Sequence, residues 1–119
     1  MAKTEVLALA KRVEAAEALD GALAGAVEAA LRATFPDQAA AGQIPDGLAR
    51  SSDLLEALVL AALPGWYFSI HGRARAHGPW TCTLRRSDVD DDDEILGTGE
   101  ACRLSLAMVA AILRVAAYR

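Results

Sequence analysis

A chain of 119 residues with a formal net charge of −4 makes one domain, long enough to bury a core without disulfides or structural metal. Apolar residues make up 54% and aromatics only 5%, a balance that favours helices packed through Ala and Leu. The acidic balance gives no bulk electrostatic case for a nucleic-acid protein, although the charge is uneven. Residues 1–63 hold 9 acids against 5 bases, residues 64–86 hold 4 arginines and no acid, and residues 87–119 hold 7 acids against 3 bases.

Residues 4–33 carry apolar side chains every three or four positions, from Val6, Leu9 and Val13 through Leu19, Leu23, Val27 and Leu31, which is helical spacing. Thr4 is the expected N-cap, with Glu5 in the first turn. Asp20-Gly21 and Gly25 weaken the middle, so the segment is one long helix or two joined by a bend at Asp20-Gly21. Residues 35–50, FPDQAAAGQIPDGLAR, read as a long surface loop punctuated by Pro36-Asp37, Gly42 and Pro45-Asp46-Gly47. A second helix is expected over residues 54–62, capped by Ser51-Ser52-Asp53, with Asp53 and Glu56 spaced as a capping box. Leu54, Leu55, Leu58, Val59 and Ala62 share one side, while Leu60 and Leu63 carry the apolar surface round it. A helix that apolar is buried or meets a partner.

The chain is organised around residues 63–84, which read as a β-hairpin. Trp66, Phe68 and Ile70 alternate with Tyr67, Ser69 and His71, and Trp80, Cys82 and Leu84 alternate with Thr81, Thr83 and Arg85. Two such period-two runs mark half-buried strands with one apolar face. Pro64-Gly65 ends the preceding helix and frees the turn. Residues 95–99, ILGTG, read as a short third strand, followed by a last helix over residues 101–118. On that helix Leu104, Met108, Val109, Ile112, Val115 and Ala116 form one face. Arg103, Ala107, Ala110 and Arg114 form a narrow stripe expected to be wet, so the remaining surface is packed on the sheet or lies at a homodimer interface.

Cys82 and Cys102 are the only cysteines, and two buried free thiols in a reducing compartment are expected. No long apolar run follows Lys3, so no signal peptide is expected. The longest uninterrupted apolar run, residues 106–113, falls far short of the ~20 residues of a membrane span. These features point to a cytoplasmic protein.

Two charged stretches are the candidate sites. Arg73 and Arg75 alternate in the hairpin connection and, with His71, Arg85 and Arg86, offer an anion- or partner-binding cluster; the plain alternative is a soluble loop tip. The run Asp88–Glu94 places Asp88, Asp90 and Asp92 at alternate positions, as in an EF-hand loop. Its sixth position is Asp93 instead of Gly and its twelfth is Gly99 instead of Glu, which leaves weak cation binding against a solvated hairpin tip. His71 and His77 lack further ligands for a metal site. Gly97-Thr98-Gly99 is too short for a phosphate loop, and no nucleophile sits in an activating context. Neither a catalytic residue nor a cofactor is assigned.

The order AKRVEAAEALDGALAGAVEAAL, SDLLEALVLAALPGWYFSI, WTCTL and GTGEACRLSLAMVAAILRVAA resembles the phage ABA-sandwich domain family, small proteins of bacteriophages and prophages. Matching features are the Val13-Glu14-Ala15-Ala16 and Leu19-Asp20 segments, Leu63-Pro64 before Gly65-Trp66, and the Trp80-x-Cys82-x-Leu84 strand. A fourth is Gly97-x-Gly99-Glu100 ahead of an Ala/Leu-rich helix. The resemblance implies an α-β-α layered sandwich and supplies no site residues. The expected fold is α+β: N-terminal helices, an antiparallel sheet of two to three strands and a C-terminal helix. The expected function is that of a phage-encoded, non-enzymatic accessory protein that binds a host or viral macromolecule, foremost a protein, for instance to inhibit a host defence system. The alternatives are a nucleic-acid or nucleotide binder using the basic loop, and a structural virion or assembly protein whose last helix self-associates.

Overall fold

A computed structural model of the chain describes residues 2–72, 79–86 and 97–118. Its elements run α1 (Lys3–Ala15), α2 (Gly21–Thr34), a short α3 (Pro36–Ala40), a 3₁₀ turn (Leu48–Arg50), α4 (Ser52–Ala62), β1 (Trp66–His71), β2 (Trp80–Arg86), β3 (Gly97–Ala101) and α5 (Leu104–Ala116). The fold is α+β, with N-terminal helices, a three-stranded antiparallel sheet in the order β1-β2-β3 and a C-terminal helix.

The N-terminal helical region is two helices, because Asp20 stops one and starts the next. Its carboxylate accepts a hydrogen bond from the Leu23 backbone N–H at 2.7 Å, satisfying one of the free donors of the first turn of α2. Thr4 does not cap α1: the helix begins at Lys3 after Ala2, without a side-chain cap. Of the three residues expected to cap α4, Ser51 does so: its hydroxyl accepts from the Leu54 N–H at 3.2 Å, and the helix begins at Ser52.

Residues 35–50 are not a loose surface loop. Phe35, Ile44, Leu48 and Ala49 are buried, and α2 holds the segment from two sides. Arg32 donates to the Ile44 carbonyl at 3.0 Å and pairs with Asp46. Glu28, the one buried charged residue among those described, accepts from the backbone N–H of Gly47 at 3.1 Å and of Ala49 at 3.3 Å. Gly47 sits at φ +91°, a left-handed turn that favours glycine.

The sheet and α5 form the centre. The register pairs Phe68 with Leu84 and Ile70 with Cys82, then Cys82 with Gly99 and Leu84 with Gly97. Trp66, Phe68, Ile70, Trp80, Cys82, Leu84, Gly97, Gly99 and Ala101 therefore share the inward face, as the alternation in β1 and β2 predicts. Third strand and last helix are displaced from expectation: β3 runs on to Ala101, and α5 starts only at Leu104. The stripe of Ala107 and Ala110 is not wet. Both are fully buried, because this small-residue side of α5 lies on β3. A Cβ at Gly99 would overlap the carbonyl oxygen of Ala107, and one at Gly97 that of Ala111, so helix and strand meet backbone to backbone. With Leu106–Leu113 buried throughout, α5 finds its apolar partners inside the chain.

The outward face of the sheet carries Tyr67, Ser69, His71, Thr81, Thr83, Arg85, Thr98 and Glu100, all exposed or half-buried. Of the layers that the resemblance implies, the described residues supply the sheet and the helices on its inward face.

Candidate functional site

The three strands are alike in backbone chemistry, and their two outer edges are treated differently. Antiparallel strands direct the N–H and C=O of alternate residues to opposite sides. On β3 the outward set is that of Thr98 and Glu100. The Glu100 N–H donates to the Glu14 carboxylate of α1 at 2.8 Å, and the Thr98 carbonyl accepts from the Arg114 guanidinium of α5. Glu14 and Arg114 also pair with each other at 2.5 Å, both mostly shielded from water. The hydrogen bond from Arg114 holds the Glu14 carboxyl below its ordinary value of 4.5; partial burial opposes that shift, and the Glu100 N–H adds to it. Past this latch, Arg103 donates to the Glu17 carbonyl at 2.8 Å, fixing the chain just beyond α1 to the start of α5.

The same alternation, carried across β2, assigns the outward groups of β1 to Trp66, Phe68 and Ile70. The Trp66 N–H donates back to the Leu63 carbonyl at 3.0 Å. Among the described residues, nothing meets the outward N–H and C=O of Phe68 and Ile70. Beside this edge lies a groove of about 310 Å³. Its walls are Val59 and Leu60 of α4 on one side and Trp66, Phe68 and Ile70 of β1 on the other, with Met108 of α5 among the lining residues and Glu56 as the one charged group among the described residues. Leu60 is 66% exposed and Ile70 41%, so the patch is apolar and open.

The groove follows from side-chain size. Inward positions on β3 are Gly, Gly and Ala, which let α5 settle on the backbone; inward positions on β1 are Trp, Phe and Ile, which hold the helical layer off. Pro64-Gly65, with Gly65 at φ +85°, then turns the chain from α4 directly into β1, so one short connection fixes both walls.

Of the residues singled out by charge, the described ones do not gather there. His71 pairs with Thr81 at one end of the hairpin, while Arg85 and Arg86 pair with Tyr67 and Trp66 at the other, about 14–17 Å away at ~3.4 Å per residue. Arg85 and Arg86 also alternate between the two faces. Arg73 and Arg75 lie outside the described residues, as do Asp88, Asp90 and Asp92. His71 sits on the outward face, 3.5 Å from the Ser69 hydroxyl. Among the described residues no three His, Cys, Asp or Glu side chains come together as metal ligands.

Of the two thiols, Cys82 is buried in the sheet, and burial pushes it up to about 12, leaving it protonated and unreactive. Cys102 is exposed, contrary to expectation, because it lies in the bend between β3 and α5, 3.6 Å from the carbonyls of Ala16 and Glu17. No helix among the described residues is long and apolar enough to cross a membrane.

Comparison with known proteins finds no matching family model, no similar curated protein and no similar solved structure.

Proposed function

We propose that this chain is a small non-enzymatic protein that works by binding another macromolecule, and that the binding surface is the open groove between α4 and β1. The observation that carries this reading is the exposure of Leu60 and Ile70 around a concave apolar site. Contiguous exposed apolar surface in a concavity is characteristic of interaction sites. A phage- or prophage-encoded accessory role, with inhibition of a host defence protein as its concrete form, is what the resemblance adds to this proposal; the groove itself speaks only to binding.

The test is capture from bacterial lysate by the immobilised protein at micromolar concentration. A specific partner retained by wild type and released by free protein is expected. Failure to retain any partner across lysates of phage-bearing and phage-free hosts overturns the reading.

A further inference from the structure

The geometry points to an extended peptide strand as the occupant of the groove: a partner segment that adds to the β1 edge as a fourth strand and drops alternate apolar side chains between α4 and β1. This deepens the binding reading above and rests on it.

Backbone comes first. Phe68 and Ile70 present N–H and C=O groups outward from β1, and no described residue takes them. An unpaired strand edge is matched by another extended backbone. On β3 the Glu100 N–H and the Thr98 carbonyl are taken by Glu14 and Arg114, whereas on β1 no described residue meets any outward group of Phe68 or Ile70. Side chains come second. A strand laid along β1 keeps the sheet's alternation, so every other residue faces the groove and the residues between face the polar side of Tyr67, Ser69 and His71. The occupant is therefore apolar at alternate positions and polar between them. At about 310 Å³ the groove lies at the small end of the ~300–1,000 Å³ range of ligand pockets, the scale of a few side chains.

Charge comes third. Among the described residues Glu56 is the sole charged one lining the groove, and it has no hydrogen bond or ion pair there. A lysine or arginine near the apolar positions of the peptide complements it. A second copy of this chain fits less well. Each copy brings its own α4, with its own Glu56, to the same layer, where the peptide places a cation.

The probe is a blocked peptide that alternates valine or leucine with threonine and carries one lysine. Its controls are the same residues with the apolar ones in a block, and the alternating peptide N-methylated at the amides that face β1. Binding is followed by amide shifts and hydrogen exchange in the ¹⁵N-labelled protein. The alternating peptide is expected to slow exchange at Phe68 and Ile70 and to shift Leu60 and Met108. N-methylation or Leu60→Glu should weaken it about tenfold or more. Glu56→Lys should weaken the lysine peptide and strengthen one with glutamate in its place, a reversal that a merely unfolded variant cannot produce.

Absence of binding at millimolar peptide, binding indifferent to N-methylation, or protection of Phe68 and Ile70 by rising protein concentration alone overturns the proposal; the last result hands the edge to a second copy. A lysate partner held equally by wild type and by Leu60→Glu removes the groove and leaves the binding reading standing, whereas no partner for either removes the binding reading itself.

Discussion

The two edges of the sheet carry the same peptide groups and meet opposite fates. Along β3 the inward residues are so small that α5 rests on the strand, and α1 is drawn in close enough for Glu14 and Arg114 to take the Glu100 N–H and the Thr98 carbonyl. Along β1 the inward residues are large, the helical layer stands off, and the edge groups of Phe68 and Ile70 stay open beside an apolar groove. Whether a strand edge is closed or available is thus decided by the side chains underneath it, one layer away from the groups concerned.

That contrast can be broken most directly at its small-residue end. Gly99→Val drives a branched side chain into the Ala107 carbonyl and should cost about 3 kcal/mol or more, read as a lowered urea midpoint with little change in slope. A cost under ~1 kcal/mol would mean that α5 does not rest on β3 as described. Glu14→Ala removes the latch and leaves Arg114 half-buried without its carboxylate. It should cost about 1–2 kcal/mol, discounted for partial exposure, and the opened β3 edge should make the variant self-associate in sedimentation. An Ala variant as stable and monomeric as wild type would show that the edge does not need closing.

The latch also sets an acid limit. Glu14 titrates lower in the folded chain than its ordinary 4.5, so its stabilisation is complete above that value and is lost as the pH falls through its folded value. Stability of Glu14→Gln should accordingly fall less steeply than that of wild type below about pH 4.5; parallel pH profiles would contradict the pairing. The smallest effect belongs to the open edge. Leu60→Ser removes an exposed side chain and should change stability by no more than ~0.5 kcal/mol, while weakening whatever occupies the groove. A loss above 2 kcal/mol would show that Leu60 is core.

Much of this arrangement was legible along the chain. The alternation of Trp66, Phe68 and Ile70 with Tyr67, Ser69 and His71 specifies the strand and its inward face, and Asp20-Gly21 marks the bend between α1 and α2. Residues 35–50 were harder, since their order comes from Glu28 and Arg32, residues on a helix that reads as an ordinary polar face. Ala107 and Ala110 look like a solvent stripe until Gly97 and Gly99 are placed beneath them, a pairing between strand and helix that no periodicity encodes. The groove was hidden for a similar reason. Its residues read singly as core, and charge drew attention to His71, Arg85 and Arg86, which the register then separates. One signal was present: Leu60 extends the apolar surface of its helix beyond what one packed face needs.

The Glu28 carboxylate ties the fate of one segment to another. Residues 41–50 are tied to α2 at two places, by the Glu28 carboxylate at Gly47 and Ala49 and by Arg32 at Ile44 and Asp46. Melting of α2 and release of that segment become one event, and the amides of Gly47 and Ala49 should exchange with deuterium at the rate of the central turns of α2, as a single cooperative unit of unfolding.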